Sequence, residues 1–249
     1  TIVVLSLIGA FLALTGIYIA IAYCRWRGNG PISPFRGWGY WHHIAGLIFG
    51  IFTLTWLVSG TLSVNPLGVF DSRPIFYERN AVAQAELIFD QAIRDNIREI
   101  VSAELPASTV EVELKMIAGE LAAFAKDAQG QIQRYRARDW QPEVLDGDYF
   151  ELIGQRIKPE VLIRSEQWLN QYDNYYYSMD TELSLPVYRV IYEDGERAYF
   201  DGVSGDLTSF FDSARIDHRW YFTGLHSIDF APWLRARPVW DFVVLLLMA

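Results

Sequence analysis

Across 249 residues the chain is 51% hydrophobic and 15% aromatic, and it carries a formal net charge of −9 at pH 7. That acidic balance argues against nucleic acid as a partner, because phosphate contacts need a basic surface. A single cysteine, Cys24, excludes an internal disulfide framework.

The charges are unevenly placed. Residues 1–70 contain no Asp, Glu or Lys and only three arginines, Arg25, Arg27 and Arg36. All 30 acidic residues lie from Asp71 onward, together with 18 of the 21 basic ones. An apolar front therefore precedes an acidic body. Residues 1–24 predict a first transmembrane helix; the basic residues follow the apolar run, the wrong polarity for a secretory signal. Residues 25–40 form a connector broken by Gly28, Gly30, Pro31, Pro34 and Gly37, with Trp26, Trp38, Tyr40 and Trp41 suited to an interfacial aromatic belt. Short arginine-bearing loops stay on the cytoplasmic side, so this loop is expected inside the cell, with Cys24 in a packing role at the reducing face.

Residues 41–64 predict a second transmembrane helix, without charge from Ile44 to Val64. His42 and His43 stand at its start. Gly46, Gly50, Ser59 and Gly60 allow another helix or a flat ligand to approach closely. Thr53, Thr55, Ser59 and Thr61 can return their hydroxyls to backbone carbonyls, so they do not forbid a bilayer setting. This helix would carry the chain outward, which places residues 65–235 outside the membrane, in a bacterium the periplasm.

In the body, Ala81 to Leu105 reads as an amphipathic helix, with Ile93, Ile97, Ile100 and Val101 at helical spacing. Strand-like runs follow at Val110–Lys115, Leu121–Lys126 and Gln131–Arg136, with turns at Gly119-Glu120 and 127–130. The pattern recurs as a helix over 142–157, an irregular aromatic stretch over 158–186, and strands at Val187–Tyr192, Arg197–Asp201 and Asp206–Phe210. Asp194-Gly195 is a strong hairpin signal. The expected body is thus α+β, two helix-plus-antiparallel-hairpin units. The chain opens on Thr1 and ends inside an apolar run. It reads as a piece of a longer polypeptide, in which 236–249 begins a further transmembrane helix.

Four pieces, in this order and spacing, carry a resemblance: Trp41 to Leu47; Ser59-Gly60; Val187 to Tyr192 leading to Tyr199 to Gly205; and Arg219-Trp220-Tyr221 with Gly224-Leu225-His226. Over residues 41–241 the chain resembles the PepSY-associated transmembrane proteins of bacterial inner membranes. The resemblance implies a periplasmic PepSY-like body flanked by transmembrane helices. It also implies a b-type haem protein that passes electrons outward, with some members linked to reductive release of iron from siderophores. On that reading the chain serves a membrane-bound ferric (siderophore) reductase. Its partners are the lipid bilayer, the missing transmembrane helices of the same chain, and a periplasmic ferric-siderophore or protein. PepSY modules elsewhere bind or restrain envelope peptidases, so a non-catalytic envelope module is one alternative, and a structural subunit of a transporter is another.

The histidines are the candidates for redox chemistry. Neutral imidazole is a common axial ligand to haem iron, and haem b needs room beside its helix. His42 shares a helix face with Gly46 and Gly50, which favours it over His43 as a ligand; two interfacial histidines bonded to headgroups or water is the other reading. His226 would be the ligand of a second haem, because a bilayer core of about 30 Å separates it from His42; a structural histidine tying the body to the membrane is its alternative. His218, in the polar run Asp217-His218-Arg219, reads as a solvated loop residue. Asp146, Asp148 and Glu151 lack Ca²⁺-loop spacing and suit a helix start. The tyrosines 175–177 suit a core or interface. No phosphate loop, nucleophile elbow or metalloprotease motif occurs.

Overall fold

The computed structural model describes residues 2–25, 32–83, 94–95, 97–99, 105–136, 139–178 and 181–248. The chain forms two compact units, one of residues 1–71 and 214–249, the other of residues 72–213.

The first unit is built on two helices, α1 (Ile2–Tyr23) and α2 (Trp38–Ser63), both long and apolar enough to cross a membrane. At 1.5 Å per residue, α2 is about 39 Å long. The helices run antiparallel: His43 meets Ala20, Gly50 meets Ile17, and Leu57 meets Gly9. Small residues set the spacing. A Cβ on Gly50 would lie 2.9 Å from Ile17 Cγ1, and one on Gly9 would lie 3.1 Å from Leu57 Cδ2, so these glycines let the helices approach. Within α2, the hydroxyls of Thr53, Thr55, Ser59, Thr61 and Ser63 donate to carbonyls three or four residues earlier, which satisfies them without water. The outward faces carry large exposed apolar side chains, among them Leu5, Phe11, Tyr18, Ile48 and Ile51. A water-soluble helix pair would bury such faces. Asn65 and Leu67, both at positive φ on either side of Pro66, end α2.

The second unit contains α3 (Phe76–Ala83), an antiparallel sheet β1 (Thr109–Ile117)–β2 (Glu120–Asp127)–β3 (Ile132–Arg136), α4 (Gly147–Ile157), and a second antiparallel sheet in the order β4 (Ile163–Leu169)–β5 (Val187–Tyr192)–β6 (Arg197–Asp201)–β7 (Leu207–Phe211). Strand period sorts the side chains. Tyr188, Val190 and Tyr192 of β5 and Ala198 and Phe200 of β6 enter one core with Phe150 and Ile153 of α4 and Phe124 of β2. Val187 and Tyr199 enter another with Tyr176. Phe150 is stacked on Tyr188, ring centroids 4.7 Å apart. Asp146 caps α4 by accepting from the Tyr149 N–H, which accounts for that acidic residue as a helix start.

The mixed helix-plus-sheet character agrees with the sequence, with four differences. The second sheet has four strands, because β4 lies inside the stretch expected to be irregular. β4 is an edge strand whose five central residues are exposed, so its sequence is polar and lacks alternation. The β1–β2 turn is Ala118-Gly119, both at positive φ, one residue before the expected Gly119-Glu120. Most of the helix expected over 81–105 lies outside the described residues; α3 begins earlier, at Phe76. The body expected over 65–235 divides at residue 213, and the segment beyond it packs with α2.

That segment continues from α5 (Ser213–Asp217) through a π-helical stretch (His218–Gly224) into α6 (Leu225–Ser227), which Ile228 ends at φ 57. Then come α7 (Pro232–Arg235) and α8 (Val239–Met248), the latter starting three residues after the expected 236.

Candidate functional site

The four histidines all lie in the first unit, and each has a different environment. His42, in the second turn of α2, is exposed and lines a cleft of about 750 Å³ between α1 and α2. Gly16, Gly46 and Gly50 line the same cleft. Spacing put Gly46 and Gly50 on the His42 face, and the structure separates their roles. No atom lies within 4 Å of a Cβ built on Gly46, whereas Gly50 is closed off by Ile17.

His43 points into the helix pair and is 5% exposed. Its Nε2 lies 2.7 Å from the Ala20 carbonyl oxygen. A carbonyl only accepts, so Nε2 carries the proton and donates. The edge of Phe35 packs on the ring, centroids 5.3 Å apart. The Nδ1 lone pair is buried, with no hydrogen-bond partner among the described residues. His43 is thus a strut between α1 and α2.

His226, at the end of α6, is exposed, and its Nδ1 lies 3.2 Å from Ser59 Oγ of α2. Its ring lies against Phe222, centroids 5.2 Å apart and planes 24° from parallel. Ser59 follows His42 by 17 residues, about 25 Å along the helix. The separation of His42 from His226 argued from the sequence therefore appears in the structure as two distinct places on one helix.

His218 opens the π-helical stretch and does not sit in a solvated loop. It packs between Phe70 and Phe222, at centroid distances of 5.4 and 5.0 Å. Burial pulls its pKa below the ordinary imidazole value, so it is neutral at pH 7. The polar sequence around it hid this, because Arg219 is itself buried. Arg219 Nη2 donates to the Asp229 carbonyl oxygen at 2.9 Å and lies 3.3 Å from its carboxylate. Asp229, 1% exposed, is also paired with Arg235. Trp240 Nε1 donates to Ser227 O at 3.0 Å. These bonds fix the ends of the segment that carries His226. Ser59 and Phe222 were not identified as site residues from sequence. The signal for Phe222 was the four-residue spacing of His218, Phe222 and His226, which puts three rings in one row.

Among the described residues no three His, Cys, Asp or Glu side chains form a metal-ion cluster. The donor sets are instead single imidazoles, the type that haem iron takes one at a time from separate helices. His226 fits that role: one ring nitrogen is held by the protein and the other is left for a ligand. His42 fits through its exposed ring beside the open wall at Gly46. His43 lines the same cleft but fits less well, since its Nε2 is bonded to Ala20 and its Nδ1 is buried.

No protein-family model, curated protein or solved structure matches the chain.

Proposed function

We propose that this chain is the histidine-bearing part of a bacterial inner-membrane b-type haem protein of the PepSY-associated transmembrane kind, passing electrons outward to a periplasmic acceptor such as a ferric siderophore. The observation that carries the reading is the placement of two available imidazoles about 25 Å apart along α2, His42 on the helix itself and His226 anchored to Ser59. His42 would hold one haem beside the α1–α2 cleft and His226 a second near the other end of α2. Each haem would need a second ligand from another helix. Bound haem supplies a one-electron iron couple. The protein's part is to orient each imidazole, to exclude water with the apolar faces of α1 and α2, and to divide one long transfer into shorter ones. The arginine loop lies on the cytoplasmic side and the unit 72–213 in the periplasm, by the positive-inside bias.

A reduced-minus-oxidised absorption spectrum of the full-length membrane protein tests this reading. A b-type band is expected, with His42→Ala and His226→Ala each losing about half the haem and nearly all periplasmic ferric reduction. Absence of haem, or full haem in both variants, overturns it. The second reading, a non-catalytic envelope module, then leads. It is favoured by β4, whose exposed outer edge can accept a partner strand.

A further inference from the structure

We infer that Ser59 is a positioning residue that fixes the tautomer of His226, holding the ring proton on Nδ1 and turning the Nε2 lone pair outward to iron. The inference rests on the reading of His226 as an axial ligand.

Ser59 Oγ makes two contacts, one to Trp56 O and one to His226 Nδ1. Its side chain is fully buried. Its one hydroxyl proton goes to the Trp56 carbonyl oxygen, 3.1 Å away, an acceptor that can donate nothing in return. Toward His226 the hydroxyl therefore offers only lone pairs. The contacts of Ser59 with Trp56 O and, at 3.2 Å, with His226 are both hydrogen bonds at once only if Nδ1 bears the proton and donates. A neutral imidazole carries one ring proton, so the lone pair sits on Nε2. Without this acceptor, a free histidine side chain favours the opposite tautomer, with the proton on Nε2 and no lone pair there for a metal.

Two further restraints act on the same ring. Phe222 lies against its face. The backbone that carries it is tied by the Asp229 N–H to Gly224 O bond at 3.1 Å, and by Trp240 to Ser227. His43 provides the internal contrast. Its proton on Nε2 is held by Ala20, with Nδ1 buried. One helix pair thus sets two histidines in opposite tautomers, and only His226 is left able to bind metal through Nε2.

A partner on Nδ1–H also makes the imidazole a stronger donor, which favours ferric over ferrous iron. Removing the Ser59 hydroxyl should therefore raise the midpoint potential of that haem and weaken its binding about 10- to 100-fold, while the haem at His42 is unchanged.

The test uses full-length protein in lipid nanodiscs, as wild type, Ser59→Ala and His226→Ala. Nitrogen-15 NMR of the haem-free protein reads the tautomer of His226, assigned by the signal lost in His226→Ala. Haem titration and potentiometry read the loaded protein. The expected result is a single Nδ1–H form in wild type, a shift toward Nε2–H in Ser59→Ala with the thermal transition unchanged, and the stated changes in affinity and potential. An Nε2–H form in wild type, or the same tautomer in both proteins, overturns the inference. So does a tautomer shift that leaves haem affinity and potential untouched. Full haem retention in His226→Ala instead sinks the ligand reading of His226, and the NMR result still stands as a separate measurement.

Discussion

His43 Nε2 donates to the carbonyl oxygen of Ala20, 2.7 Å away across the α1–α2 interface. Adjacent histidines therefore differ: both line the cleft, but only His43 joins the two helices, while the His42 ring is exposed. His43→Leu is expected to lower the thermal stability of the full-length protein in detergent by about 1 kcal/mol, the scale of interhelical hydrogen bonds in membranes, while leaving haem content intact. On the proposed haem reading, His42→Leu should leave stability intact and remove the haem on that side. Melting curves with parallel pyridine haemochrome assays check both, and loss of haem in His43→Leu alone would reverse the assignment.

The glycines of α2 should divide in the same way. Gly50→Ala places a methyl 2.9 Å from Ile17 Cγ1, forcing the helices apart at a cost of about 1–3 kcal/mol. Gly46→Ala meets nothing within 4 Å and should be neutral. Gly46→Phe places a ring in the cleft beside His42, so on the proposed haem reading it should lower haem at His42 and spare haem at His226. Equal effects of the two alanine variants on the melting temperature would contradict the packing assigned to Gly50.

How far the sequence reveals all this depends on the range of the forces involved. The two apolar helices and six of the seven strands are legible because each is written in its own periodicity, 3.6 or 2. β4 is not. Arg164, Ser165, Glu166 and Gln167 have little to bury at a sheet edge, and only pairing with β5 makes them a strand. Histidines 42 and 226 were legible as candidates because few residues can ligate iron. The sequence favoured His42 over His43 by its glycine face, but it did not show the bond of His43 to Ala20, 23 residues away. Nor did it show the contact of Ser59 with His226, which spans 167 residues. Such pairings follow from tertiary packing and leave no local pattern.

The unit 72–213 carries its own core, so as an isolated domain it should unfold in one cooperative transition. Arg134 is its most demanding residue. It is 2% exposed, donates from Nε to Glu143 at 2.8 Å and from Nη1 to Ser204 O, and lies over the rings of Phe124 and Tyr149. A buried guanidinium is tolerated only with such partners, and removing it strands Glu143 and the carbonyl. Arg134→Ala should cost about 3–5 kcal/mol. Arg134→Lys should recover only part, because an ammonium cannot span both acceptors. Urea titration of the domain measures each, and a loss below 1 kcal/mol for Arg134→Ala would show that the pair is not structural.

Asp173 should make the same domain acid-sensitive. Its Oδ1 accepts the N–H groups of Tyr175 and Tyr176 at 2.8 and 2.7 Å, and its Oδ2 accepts Tyr199 Oη and Arg189 Nη1 at 2.8 and 2.9 Å. Burial alone would raise this carboxyl's pKa. The four donors outweigh it and hold the value below the ordinary aspartate range. A depressed folded-state pKa means that the unfolded chain takes up the proton first. The stabilisation is therefore fully present above the unfolded value of about 3.9 and is lost as the pH falls through the lower folded value. Asp173→Asn removes the charge at every pH and presents an amide NH₂ to groups that donate. At pH 7 the variant should be less stable by about 2–3 kcal/mol, the scale of hydrogen bonds to a charged acceptor. That difference should hold to about pH 5 and begin to shrink below about pH 4, where the unfolded wild-type chain takes up the proton while the folded carboxylate still resists it. Comparing the two unfolding curves across pH 7 to 3 cancels the titration of the other carboxylates. A stability gap that stays constant over that range would show that the Asp173 charge contributes nothing and that only its shape is used.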